Sequence, residues 1–199
     1  EQPNEGLIAR HEHDLFPLFR QRWRFAGADH FRLLDALRGD GSIDDDVFAY
    51  TNRAWEARSL IVYRNKWAEG RVTIPGVADG LGVPDDANAW LILRDQRTGL
   101  EFLRNAHDLA AKGLELDLRA YGCHVFLDPE LVWDGPTRDW ARLAWRIGLA
   151  GVPSVRGALD DQLLEPLRQA AGRLFKADLL RMVAGSALAR TDESATTLM

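Results

Sequence analysis

Leu114-Glu115-Leu116-Asp117-Leu118-Arg119 alternates apolar and polar residues without error. Successive side chains on a strand point to opposite faces, so this period of two predicts a half-buried β-strand covered on its Leu114, Leu116, Leu118 side. One such strand needs partners, and its neighbours supply them. Upstream, Ala89-Trp90-Leu91-Ile92-Leu93-Arg94 and Leu100-Glu101-Phe102-Leu103-Arg104 flank a turn from Asp95 to Gly99, the pattern of a hairpin. Between them and the alternating stretch, Asn105 is a suitable N-cap for a short helix through Ala111, which Gly113 can end. Downstream, Tyr121 to Leu127 reads as a further strand.

Towards the N-terminus the same vocabulary continues. Val47-Phe48-Ala49-Tyr50-Thr51 is rich in aromatic and β-branched residues and reads as a strand, followed by a polar turn at Asn52-Arg53. Ser59-Leu60-Ile61-Val62-Tyr63-Arg64 reads as a buried strand, and Arg71 to Ile74 as a weaker one punctuated by Pro75-Gly76. Leu81 to Asp86 reads as loop. Phe31, Leu33 and Leu34 suggest a short strand. Before it, Leu7, Ile8, Leu15, Phe16, Leu18, Phe19 and Trp23 recur at roughly helical spacing, interrupted by Pro17. About six to eight short strands at close spacing predict an antiparallel sandwich.

Beyond Pro129 the period changes. Thr137 is an N-cap candidate for a helix carrying Trp140, Leu143, Ala144 and Ile147 on one face. Gly151, Pro153 and Gly157 mark a break, and Ala158 to Leu188 reads as two more helical segments. There Leu163, Leu164, Leu167, Leu174, Leu179 and Leu180 can supply a stripe to be buried either in a small bundle against the sandwich or in an oligomer contact. The expected class is therefore mainly β with helical flanks, an α+β chain. A helical segment at 1–30 precedes an antiparallel β-sandwich at 31–128, followed by a helical appendage at 129–190 and a flexible tail at 191–199.

Composition narrows the function. Apolar residues at 46% and charged residues at 28% of 199 positions are ordinary globular values, so a packed core is expected rather than disorder. The net charge of −5, with both signs interleaved, leaves no basic stripe for a phosphate backbone, so no nucleic acid is expected. No stretch approaches the roughly 20 apolar residues that cross a bilayer, and no signal pattern opens the chain, so no membrane partner and a cytoplasmic location are expected. Cys123 is the single cysteine and has no internal disulfide partner. The chain opens at Glu1 without an initiator Met, as a processed protein or an excised fragment would.

Several short motifs in order resemble the C-terminal region of large bacterial α-amylase-family glycoside hydrolases. They are Arg10-His11-Glu12 through Phe16-Pro17-Leu18, Phe25-Ala26-Gly27, Asp46-Val47-Phe48-Ala49-Tyr50-Thr51-Asn52-Arg53, Leu60-Ile61-Val62-Tyr63-Arg64-Asn65, Arg94-Asp95 through Arg97-Thr98-Gly99-Leu100-Glu101, and Tyr121 through His124-Val125-Phe126-Leu127-Asp128. The resemblance covers residues 8–128. After Lys66-Trp67-Ala68-Glu69-Gly70-Arg71 the related chains run longer. The resemblance implies that residues 1–30 belong to the end of a catalytic (α/β)₈ barrel and that a β-sandwich packs behind it. It also implies that the family's aspartate nucleophile, glutamic acid/base and second aspartate precede Glu1, so no catalytic residue is expected in this chain. The implied partners are that barrel and an α-glucan, with no cofactor.

Other clusters have ordinary explanations. His11-Glu12-His13 places its imidazoles at i, i+2, on different sides of a helix, which does not suit a metal. Cys123 and His124 would point to opposite faces of a strand, so a nucleophile and base pair is not expected. Asp44-Asp45-Asp46 and Asp85-Asp86 concentrate oxygens but match no calcium loop and read as solvated turns. Of the seven tryptophans, Trp90, Trp140 and Trp145 read as structural from their apolar neighbours. Trp55 and Trp67 sit beside Arg53, Glu56, Lys66 and Glu69 and are expected to be exposed, where an indole can carry a pyranose ring. They are the candidate carbohydrate-binding residues.

Overall fold

The computed structural model describes residues 4–14, 16–136 and 138–174, and the alternating stretch is a strand with the burial its pattern predicts: Leu114, Leu116 and Leu118 are buried while Glu115 and Asp117 face out. In chain order the elements are α1 (Glu5–Asp14), α2 (Phe16–Phe19), a 3₁₀ turn (Arg22–Phe25), β1 (Arg32–Leu34), β2 (Val47–Ala54), β3 (Ala57–Arg64) and β4 (Gly70–Ile74). Then follow α3 (Val77–Leu81), β5 (Ala89–Arg94), β6 (Glu101–Asn105), α4 (Ala106–Lys112), β7 (Leu114–Leu118), β8 (Cys123–Leu127), β9 (Glu130–Trp133), α5 (Trp140–Ile147) and α6 (Val155–Leu174). The chain divides into two compact units, 1–158 and 159–199.

The first unit is built from antiparallel sheets. Four strands pair in the order β1-β2-β3-β8, β4 pairs with β7, and three pair in the order β6-β5-β9. Bridges between Leu37 and Thr73 and between Asp95 and Phe126 stitch the sheets to one another. Their inward residues meet in one core: Ala49, Leu60, Val62 and Phe126 from the first sheet, Val72 and Leu116 from the second, Leu91 and Leu93 from the third. Each fully buried side chain of this kind stabilises by roughly 1.5–3 kcal/mol. The helices α3 and α4 add Val77, Leu81, Ala106 and Leu109 to the same core. The fold class is thus α+β, an antiparallel sandwich with helices ahead of it and after it.

Several local readings are corrected. The polar pair Asn52-Arg53 does not turn the chain but continues β2, and the turn falls two residues later at Trp55-Glu56. Asn52 sits in a strand with its side-chain NH2 donating to the carbonyls of Arg24 at 2.7 Å and Gly27 at 3.1 Å, which satisfies both N–H donors away from water while its Oδ1 has no partner among the described residues. The stretch read as loop begins inside a short helix, α3. The third sheet runs past the expected boundary at Asp128, because β9 pairs with β5 and Trp140 on α5 is fully buried. The N-cap of α5 is Asp139, whose carboxylate accepts from the Arg142 N–H at 2.8 Å; Thr137 lies outside the described residues. Asn105 and Gly113 cap α4 as predicted.

Asp44 is a correction of another kind. The acidic run was expected to be solvated, yet Asp44 is buried and held by Arg64 at 3.1 Å and Arg38 at 2.9 Å. Ahead of the sheets, Arg24 and Asp128 form a two-pronged ion pair at 2.7 and 2.5 Å, which ties the 3₁₀ turn to the end of β8. That pair holds the Asp128 carboxyl below the usual carboxylate range.

The second unit is described only to Leu174. Its part of α6 contains Pro166 and ion-pairs Arg168 with Asp161. Leu163, Leu164 and Leu167 are exposed, so the described residues do not bury them in a bundle. Leu174 has no described side chain, and Leu179, Leu180, the second helical segment and the tail at 191–199 lie outside the described residues.

Candidate functional site

A two-residue connection between β2 and β3 normally requires positive φ, which favours Gly or Asn at its first position. Here that position is Trp55, at φ 53°, and its indole is 90% exposed. A bulky residue in the left-handed region costs roughly 1–2 kcal/mol. The indole recovers part of this by stacking on Trp23, with ring centroids 5.9 Å apart and planes inclined 29°. An offset aromatic pair contributes about 0.5–1.5 kcal/mol, so strain and stacking roughly offset each other. The Arg24 guanidinium lies 4.9 Å from the Trp23 ring and reaches Asp128 beyond it. Trp55 is therefore a flat platform backed by Trp23, with charged groups beside it.

Trp67 is the other exposed candidate, at 81%, with Tyr121 next to it at 6.2 Å. The structure does not bring the two tryptophans together. They flank opposite ends of β3, and eight strand residues span about 26 Å. On the outward face of β2 and β3 lie Phe48 and Tyr63, stacked at 5.1 Å, and Tyr50, flanked by Phe31 and Phe25. Val47, Ala49 and Thr51 alternate with them and are buried. The sheet therefore has two apolar faces, one closed over the core and one aromatic and partly open.

The remaining tryptophans divide differently from the sequence reading. Trp90 and Trp140 are buried and hydrogen-bonded, to the Asp134 carboxylate at 2.7 Å and the Trp133 carbonyl at 3.0 Å. Trp145 is 88% exposed, against expectation. Its apolar neighbours Ala144 and Ile147 lie within one helical turn but Trp145 itself lies off the buried Trp140-Leu143 stripe. Trp23 was read as one more apolar helix position. Its pairing with Trp55 joins residues 32 apart, which periodicity cannot register.

His124 and Cys123 do point apart. His124 Nδ1 lies 3.0 Å from the Asp95 carboxylate, and its ring stacks on Phe126 two residues on. Burial of the Cys123 thiol pushes its pKa up, away from a reactive thiolate. Asp95 is fully buried, yet also accepts from the Val125 N–H at 3.0 Å and the Thr98 hydroxyl at 2.7 Å. Burial opposes its charge, but the His124, Val125, Thr98 and Arg97 hydrogen bonds outweigh that and hold the carboxyl below the ordinary range. A depressed folded pKa gives stability that is present above about pH 3.9 and lost as pH falls through the folded value. Asp95→Asn is therefore expected to lower the thermal midpoint at pH 7, with the gap from the parent protein closing as melts are repeated towards pH 2.5.

Among the described residues no group of His, Cys, Asp or Glu could hold a metal, and no helix is long and apolar enough to cross a membrane. His11, Glu12 and His13 lie at the end of α1 without such a grouping. No protein-family model and no curated protein matches the chain.

Proposed function

We propose that this chain is a non-catalytic accessory region of an α-amylase-family enzyme acting on α-glucans, with its sandwich stabilising a catalytic (α/β)₈ barrel. The observation that carries the reading is the exposure of Leu7, Ile8, Phe16 and Phe19 along α1 and α2, where the sequence resemblance puts the end of that barrel. An apolar run of this kind, on a segment anchored to the sandwich through Arg24, Asp128 and Asn52, fits a surface that another domain covers. The test is to read the gene upstream of the Glu1 codon and to assay the purified chain on maltooligosaccharides. The expected results are an open frame encoding barrel strands with two aspartates and a glutamate, and no new reducing ends. Hydrolysis by the chain alone would overturn the reading.

The strained, solvent-facing Trp55 favours a second reading, an independent carbohydrate-binding module using Trp55 or Trp67. A bulky residue kept where Gly is preferred is the kind of outlier from which function is inferred. Trp55→Gly relieves the strain and removes the stack, so its melting point is expected to change by no more than the equivalent of about 1 kcal/mol. If the platform binds glucan, the same variant migrates unretarded through a starch gel that slows the parent. Equal migration of the two proteins would exclude Trp55 from binding.

A further inference from the structure

We propose that the outward face of α5 docks an acidic peptide segment in extended form, with Arg142 and Arg146 taking carboxylates and Trp145 taking an apolar side chain. Helical periodicity divides α5 into two faces. Trp140 and Leu143 are buried and Ile147 is half-buried on the same side. Arg142, Trp145 and Arg146, at i, i+3 and i+4, project from the opposite side and are exposed. Packing accounts for the first face. It does not account for the second, where an indole stands almost wholly in water at a position any polar residue would suit.

The charge of this face runs against that of the chain. The net charge is −5, yet Arg138, Arg142 and Arg146 fall within nine residues whose one acid, Asp139, is engaged as the cap of α5. None of the three arginines forms an ion pair among the described residues. Arg146 Nη2 donates to the Ala158 carbonyl at 3.3 Å, and its other N–H groups face water. Trp and Arg are enriched at the energetic centres of protein interfaces, and free guanidinium forks select carboxylates. A sugar would need acceptors for its hydroxyls, and the side chains beside Trp145 offer donors alone.

Spacing sets the form of the partner. Residues one turn apart on a helix have Cβ atoms about 5–6 Å apart. Alternate side chains of an extended strand repeat at about 6.6–6.8 Å, so a Glu-X-Glu segment presents one carboxylate to each arginine. An anionic bilayer fits less well. A helix seated on a membrane buries its apolar face in lipid, and the apolar face of α5 is already closed by the protein.

This inference stands independently of the glucan reading. The experiment is fluorescence anisotropy of the full chain with fluorescein-labelled Gly-Glu-Ser-Glu-Ser-Leu-Gly, beside the same peptide with glutamine for glutamate. Vesicles of phosphatidylserine and phosphatidylcholine are tested by sedimentation. The expected result is saturable binding with Kd of about 10–500 μM, at least about 10-fold weaker for the glutamine peptide, and weaker still as salt rises. Arg142→Gln with Arg146→Gln weakens binding by about 10-fold and Trp145→Ala by about 5-fold, both variants melting as the parent does because the three side chains are exposed. Arg94→Gln with Arg119→Gln removes the same charge from exposed positions elsewhere and leaves binding unchanged. No saturable binding up to about 1 mM, equal affinity for the glutamine peptide, or an equal loss in the Arg94 and Arg119 control overturns the proposal. Capture by the vesicles in preference to the peptide does so too.

Discussion

Arg64→Met is expected to destabilise the protein by about 3 kcal/mol, out of a total that for a domain of this size is roughly 5–15 kcal/mol. The substitution keeps most of the side-chain volume, so little of the loss comes from a cavity. It comes from Asp44, which is 3% exposed and would lose its more buried partner. Arg38 remains at 2.9 Å, but its side chain is half in water, and the Asp46 N–H at 3.3 Å is a weak donor. Breaking one side of a buried pair strands a charge; replacing both sides does not. Urea unfolding of Arg64→Met and of Arg64→Met with Asp44→Asn separates the two cases. The double variant is expected to recover at least half of the loss. Equal losses in both would mean that packing around Arg64, not the charge of Asp44, sets the stability.

The same pair shows where sequence reading stops. Asp44, Asp45 and Asp46 are alike in sequence, and an acidic run is ordinarily solvated. Their difference lies in a partner 20 residues away on β3, and only the register of β2 on β3 determines which aspartate meets it. Where a signal was local, the reading held. The alternation at Leu114–Leu118, the Asn105 cap and the turn from Asp95 to Gly99 are each decided within a few residues, and each is found in place. Where a segment's state depends on distant atoms, the reading failed. Asn52-Arg53 looks like a turn until the carbonyls of Arg24 and Gly27 are available to the Asn52 amide. The strand β9 has four residues and no strong alternation, and it exists because β5 offers an open edge. The candidate site divides the same way. Polar neighbours were enough to predict that Trp55 and Trp67 are exposed, whereas the Trp23 stack required tertiary structure.

Gly113→Ala is expected to cost at least about 3 kcal/mol, although the change adds one methyl group. Gly113 was read as a residue that ends a helix, a role in which alanine would cost about 1 kcal/mol. Its backbone is at φ 91°, ψ −177°, a region open in practice to glycine alone. A Cβ there would lie 2.6 Å from the Ile74 carbonyl oxygen and 2.7 Å from its carbon. Those are backbone atoms of β4, paired with β7 at Ile74 and Leu114, both fully buried, so neither strand can retreat without opening the core. Gly99→Ala is the control. Gly99 also has positive φ, at 72°, but a Cβ there meets nothing within 4 Å, so only the conformational cost of about 1 kcal/mol applies. Chemical unfolding of the two variants measures the difference between a strained turn and a blocked contact. Equal losses would show that backbone conformation alone accounts for Gly113, and that the close approach of β4 to the start of β7 carries no part of the fold's stability.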